Sequence, residues 1–431
     1  MRGTSHYDYW ERSKPGYTNF YPNLPGQGES AKNPASFEAG GNQRVPCASN
    51  PDLVKILTAV MTNLAAQKAA EVMIWMSEYP AAHCACAACV KTGQYVAEVK
   101  AALAAWAESK KTYPALKLSV FFGRGGLASA RYPLPPNYPD DEIARIMEIL
   151  PPDVTMRPSM GCDGKDGRLM ADCAAQGKRI ARMNVVGLTA SFAADDIRRR
   201  MERIVADKYI GAWQFTPGGY ASAESLKKGY NYRLSALAEY SWNARGRTPR
   251  EFTEAWACRQ GIAAPQNFLA WVAAMDLPQA TRLQACWPQC GNSWFTNLAQ
   301  MAAAGKWDDT QFKPDEIEPG LQRAERALAL AEEMGAPDLA VRSRLLLTYC
   351  RLEQAGYRLI AELQDRTPAG AARKAPADAA FGRLQDAFNL YVQARLDSQS
   401  GIASDYQLGV VKKQSAELGG ELDRVRSALG F

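Results

Sequence analysis

The chain lacks any uninterrupted run of about 18 apolar residues, so no segment reads as a membrane-spanning helix. Histidine is scarce: only His6 and His83 occur. That excludes a multi-histidine metal site and leaves few ways to assemble a Ser-His-Asp triad. A strong charge of one sign is also missing. Fifty-one Lys and Arg stand against 45 Asp and Glu, a net charge of +6. The charges are interspersed, and no Lys- and Arg-rich cluster resembles a phosphate-tracking surface, which argues against nucleic acid as a partner. The opening stretch, Met1 to Tyr17, has no apolar h-region, so no signal peptide is expected in the sequence as given.

Large aromatics, by contrast, are plentiful, with ten Trp and eighteen Tyr. Sugar rings present flat C–H faces that stack on such side chains, although aromatics fill cores equally well. Ten cysteines are present. Cys84, Cys86 and Cys89 lie within six residues of one another, Cys286 and Cys290 form a second close pair, and the rest are isolated. A chain of 431 residues needs no disulfide framework to fold, so their number does not fix a compartment.

Residues 1–50 are rich in Gly, Pro, Asn and Tyr and read as a long loop. Asn50 and Pro51 then make a good helix start, followed by Leu53, Ile56, Leu57, Val60, Met61 and Leu64 at helical spacing. The apolar run 72–76 has the length of a strand buried on both faces. Helices are expected at 92–110, 139–150, 168–177 and 193–207. Strands are expected at 116–122, 154–156, 180–186 and 209–215. Five strands alternating with helices predict right-handed βαβ units and a parallel sheet. No Gly-x-Gly-x-x-Gly follows the first strand, so a dinucleotide-binding fold has no support.

Polar residues cluster just past the strand ends: Ser77 and Glu78, Arg124, Asp163, Thr189 and Gln214. A (β/α)₈ barrel places its chemistry at that face. The expected fold is therefore an α/β barrel over 1–249, lacking its first strands because only five are visible before residue 220. A smaller open sheet is the alternative. From 250 to 431 an all-α domain is expected, with helices at 250–262, 266–275, 294–304, 316–335, 337–365, 377–399 and 405–429. That helical domain could also mediate association between copies of the chain.

Glu78 is the leading catalytic candidate. A carboxyl directly after a buried apolar strand is partly desolvated, which favours its protonated form, as a general acid requires. Trp75, three residues earlier, offers a ring for a sugar to stack on. A second carboxylate is needed for most glycoside hydrolysis. Asp163 is preferred because Gly161 to Gly164 form a tight loop at the same end, with Asp166, Glu224 and Glu239 as rivals. His6, in a polar aromatic loop, suits hydrogen bonding to sugar hydroxyls. His83 with Cys84, Cys86 and Cys89 could supply zinc ligands. A disulfide, free thiols, and a site completed by a distant cysteine such as Cys47 stay open. The chemistry itself calls for no cofactor.

At these residues the sequence resembles known families. Cys47-Ala48-Ser49-Asn50-Pro51, the strand ending Ile74-Trp75-Met76-Ser77-Glu78, the following C-x-C-x-x-C run, and Ala238-Glu239-Tyr240-Ser241-Trp242-Asn243-Ala244-Arg245-Gly246 are similar to bacterial glycosidase-like proteins. These are related to β-N-acetylhexosaminidases (family 20), α-glucuronidases (family 67) and endo-β-N-acetylglucosaminidases (family 163). The resemblance implies that Glu78 matches the acid after the fourth barrel strand. It also implies that His6, Trp213, Tyr240 and Trp242 lie near the sugar pocket, and that the protein is exported. One position departs from the pattern. Hexosaminidases carry Asp immediately before the acid, where this chain has Ser77, and a hydroxyl stabilises a developing oxazolinium charge less well than a carboxylate. The expected function is glycan hydrolysis. The alternative is a non-catalytic carbohydrate-binding or structural protein built on a partial glycosidase barrel.

Overall fold

The computed structural model describes residues 4–5, 47–76, 86–122, 141–158, 164–183, 194–213, 230–279, 298, 301–302, 304, 306, 312–364, 374–399 and 405–429. They fall into two compact units, one comprising 1–184 and 203–214, the other 185–202 and 215–431.

The first unit holds a six-stranded parallel sheet whose strands lie side by side in chain order. The strands are β1 (Thr4–Ser5), β2 (Glu71–Trp75), β3 (Lys117–Phe122), β4 (Thr155–Pro158), β5 (Arg179–Met183) and β6 (Gly211–Trp213). Each neighbouring pair is parallel, with registers such as Met73 against Ser119 and Phe121 against Arg157. The expected parallel sheet is thus present. Two expectations need correction. Thr4 and Ser5 are not loop but a short strand on β2, and the sheet has six strands where five were expected.

Helices α1 (Pro51–Ala66), α2 (Ala87–Thr92), α3 (Gln94–Lys110), α4 (Glu142–Ile149) and α5 (Gly164–Ala175) connect these strands. Helix α1 starts as its sequence dictates: the Asn50 side chain accepts a hydrogen bond from the Asp52 amide at 2.9 Å, with Pro51 in the first turn. A single helix was expected from residue 92. Instead Gly93, at φ +88°, separates α2 from α3, a conformation that suits a residue without Cβ.

Side chains alternate across the strands with period two. One face carries Val72, Ile74, Leu118, Val120, Phe122, Met156 and Ile180, all buried. Tyr95 of α3 meets Phe122 edge-on at 5.0 Å, which identifies this as the helix-covered side. Trp106 of α3 is also buried and donates its indole N–H to the Leu116 carbonyl at 2.9 Å. The opposite face is partly polar, with Glu71, Ser119, Thr155, Arg157 and Arg179.

Helix α6 (Ala194–Ala206) is divided between the two units. The second unit contains α7 (Tyr230–Trp242), α8 (Pro249–Arg259) and α9 (Pro265–Met275) around an aromatic core. Trp256 and Phe268 stack at 4.9 Å, and Tyr232 packs edge-on against both. Thr248 and Glu251 form a capping box that starts α8. Helices α10 (Pro314–Glu333), α11 (Pro337–Gln364), α12 (Lys374–Gln399) and α13 (Asp405–Leu429) pack in sequence order. Three residues join α10 to α11, including Gly335 at φ +59°, and so short a connection makes the pair antiparallel. Leu352, Leu359, Ile360, Phe381, Leu384 and Phe388 form their shared core.

Candidate functional site

The polar face of the sheet is the best-defined charged environment in the first unit. Glu71 opens β2 and Arg157 is the third residue of β4, so β3 runs between them. A guanidinium nitrogen of Arg157 donates to a Glu71 carboxylate oxygen at 2.8 Å. The bridge passes over Ser119, a small residue on the intervening strand whose hydroxyl also lies against Glu71. Arg179 of β5 extends the polar row, its Nε 3.5 Å from the Thr155 hydroxyl. Burial pushes the Glu71 carboxyl upward, but the bond from Arg157, the nearby Ser119 hydroxyl and the guanidinium charge outweigh it and hold it below the ordinary carboxylate value. Arg157 is 8% exposed, so this charge is compensated inside the fold. Glu71 stands at the amino end of β2 and Arg157 near the carboxyl end of β4, level with Phe121 and Trp75, so the bridge runs diagonally across β3.

At that carboxyl edge, Trp75 and Trp213 are the last residues of β2 and β6. Glu78, Asp163 and His6 lie outside the described residues, as do Cys84, Ser77, Arg124, Thr189, Gln214 and Glu224. Asp166 was expected in a loop, but helix α5 begins at Gly164 and takes Asp166 into its first turn. Glu239, on α7, lies 3.7 Å from the Arg247 guanidinium and is only partly exposed.

Tyr240 and Trp242 sit two positions apart on α7, and residues at that spacing do not share a helix face. Tyr240 is buried, its ring 5.8 Å from Phe252, and burial pushes its hydroxyl up to about 12 against the opposing charge of Arg198. Trp242 is 93% exposed. Of the two, only Trp242 presents its ring to solvent. The abundance of aromatics is thus explained in part by the core: Tyr232, Tyr240, Trp256 and Trp271 are all buried in the second unit.

Of the expected cysteine cluster, Cys84 lies outside the described residues, and Cys86 and Cys89 are described. Cys86 and Cys89 approach Cys47, and the three sulfurs lie within 4.8 Å of one another. Cys47 comes from the turn before α1, so the grouping joins segments 39 residues apart, which local spacing alone does not reveal.

No family model matches the chain, and no curated protein does. Among solved structures it is similar to a GH138 enzyme targeting pectin rhamnogalacturonan II, with a TM-score of 0.51 at 12% identity over 88% of this chain and 72% of that one. It also aligns with an O-GlcNAc hydrolase mutant of Thermobaculum terrenum, with a TM-score of 0.43 at 9% identity over 88% of this chain and 76% of that one. The first likeness is one of fold: the chain shares the general fold of that enzyme. Among the described residues no helix is long and apolar enough to cross a membrane.

Proposed function

We propose that this chain is a glycoside hydrolase, that its sheet is an arc of a (β/α)₈ barrel, and that Glu78 is the catalytic acid. The observation that carries the reading is six parallel strands in sequential order, in a fold similar to that of a GH138 enzyme. Barrel enzymes place their chemistry just beyond the carboxyl ends of such strands, and Glu78 follows the last residue of β2 by three positions.

In the proposed reaction Glu78 gives its proton to the glycosidic oxygen as the bond from that oxygen to the anomeric carbon breaks. Asp163 is the second carboxylate. It either attacks that carbon, forming a glycosyl ester that water then hydrolyses as Glu78 takes the water's proton, or takes a proton from water whose oxygen forms the new bond directly. Trp75 and Trp213 supply stacking surfaces and His6 a hydrogen bond to a hydroxyl. Tyr240, buried among aromatics, is left out of the direct sugar contacts. Ser77 in place of a carboxylate disfavours assistance by a substrate acetamido group. A uronic-acid-containing glycan is therefore preferred over an N-acetylglucosamine-containing one.

The test is hydrolysis of a panel of aryl uronides, hexosides and N-acetylhexosaminides by the wild type and by Glu78→Gln, with circular dichroism confirming that both are folded. The expected result is turnover of a uronide, falling about 10²- to 10⁴-fold in the variant. Undiminished turnover by the variant removes Glu78 from the mechanism. Folded wild-type protein that binds a glycan without cleaving it replaces the enzyme with a carbohydrate-binding protein.

A further inference from the structure

We infer that Cys47, Cys86 and Cys89 are three ligands of a structural zinc ion that pins α2, which Cys86 caps, to the turn preceding α1. Neither the sheet's polar face nor the proposed hydrolysis uses these residues, so the inference stands apart from the glycosidase reading.

The geometry is that of a metal-binding trio. The Cys47 and Cys86 sulfurs are 3.7 Å apart, and all three sulfurs fall within 4.8 Å. Zinc–thiolate bonds of about 2.3 Å at tetrahedral angles place sulfurs about 3.8 Å apart. A disulfide needs about 2.05 Å, so the observed separation is that of co-ligands and not of a covalent pair. Cys86-Ala87-Ala88-Cys89 has the C-x₂-C spacing of structural zinc sites, with the third sulfur arriving from a distant segment as such sites require.

The surroundings suit bound thiolates. Cys47 and Cys89 are buried, and the cluster packs against Ala48 and Ala97, small apolar side chains that keep water away. The Cys89 amide donates to the Cys86 sulfur at 3.4 Å, and the Ser49 hydroxyl lies 3.0 Å from the Cys89 sulfur and 4.0 Å from that of Cys86. Such outer contacts orient ligating sulfurs and offset their charge. Soft thiolates select zinc over magnesium or calcium, which prefer oxygen. On binding, each thiol releases its proton to solvent and each S–H bond is replaced by an S–Zn bond, so metal uptake weakens at low pH.

The experiment is elemental analysis of the full chain purified without chelator, together with thiol counting under denaturing conditions with and without reductant. About one zinc per chain is expected, with Cys47, Cys86 and Cys89 all alkylated without reductant once the metal is chelated. Cys47→Ser and Cys89→Ser should lower zinc content about tenfold or more, whereas Cys258→Ser, at an exposed position, should leave it unchanged. Should those variants fail to fold, replacement of the wild-type metal with cadmium keeps the idea testable. It should produce thiolate-to-metal absorption in the ultraviolet, and X-ray absorption should count at least three sulfurs. A disulfide among the three, fewer than three sulfur ligands, metal-free reduced thiols, or zinc retained in both variants overturns the inference.

Discussion

Replacing Glu71 by Gln keeps the volume of the side chain but removes the charge that Arg157 faces across β3. Arg157 is 8% exposed and its partner's side chain 21%, so the guanidinium is left largely desolvated without its carboxylate. Breaking one side of a buried pair costs about 3–5 kcal/mol, and the partial exposure of Glu71 brings the expectation to about 2–4 kcal/mol. The readout is hydrogen exchange by mass spectrometry on peptides covering β2 to β4, which reports this unit separately from the helical one. Protection there should fall about thirty- to thousand-fold, at tenfold per 1.4 kcal/mol. Arg157→Met should behave similarly, while Glu71→Met combined with Arg157→Met should recover most of the loss, because an apolar pair leaves no uncompensated charge.

The pH dependence has a defined sign. The Glu71 carboxyl is held below its ordinary value in the fold, so the pair's contribution is fully present above the unfolded value, about 4.3, and disappears as pH falls through the folded one. The wild-type advantage over Glu71→Gln should therefore be flat near neutrality and narrow only in acid. A loss under about threefold for Glu71→Gln, or a double variant costing the sum of the singles, refutes the idea that this bridge organises the sheet.

Two further predictions concern packing. Glu142, fully buried, accepts from the Tyr95 and Val96 amides at 2.7 and 3.3 Å, capping α3 in place of Gly93, which has no side chain to do so. Glu142→Ala should cost about 2–3 kcal/mol in urea unfolding and Glu142→Gln clearly less, and a cost under about 0.5 kcal/mol for Ala would exclude the cap. A Cβ at Gly320 would lie 2.5 Å from the Gln279 amide, itself buried and donating to the Glu316 carbonyl at 2.7 Å. Gly320→Ala should lower stability by about 1–3 kcal/mol. Gly419→Ala on α13, where the new methyl meets, among the described residues, only Phe388 at 3.9 Å, should raise it by about 0.5–1 kcal/mol. Thermal unfolding that shows the two substitutions alike would refute the packing argument.

Strands β2 and β3 were legible because each is a short apolar run between turn residues, β4 to β6, which are shorter or more polar, from their regular alternation with helices, and α10 to α13 because their apolar positions recur at helical spacing over many turns. Residue-level placement failed where signals were weak or non-local. Helix α7 was missed although Tyr232, Ala236 and Tyr240, all buried, recur every four residues; its aromatic and polar composition masks the pattern. The expected helix at 294–304 is described only at residues 298, 301–302 and 304. The polar sheet face escaped notice because β2 reads as buried on both sides. Only the register of three strands brings Glu71, Ser119 and Arg157 together. Cys47 joined Cys86 and Cys89 for the same reason: the fold supplies the third sulfur, and spacing along the chain supplies two.

The proposed role of Glu78 is tested most directly by varying the leaving group. A general acid helps most when the departing phenol is weakly acidic, because a strongly acidic phenol leaves without protonation. The measurement is kcat/KM of the wild type and Glu78→Ala on one aryl uronide series that runs from phenol to dinitrophenol. The prediction is a loss of about 10³-fold or more with the phenol leaving group and about tenfold or less with the dinitrophenol. An equal loss across the series, or none, would contradict the assignment of Glu78 as the acid.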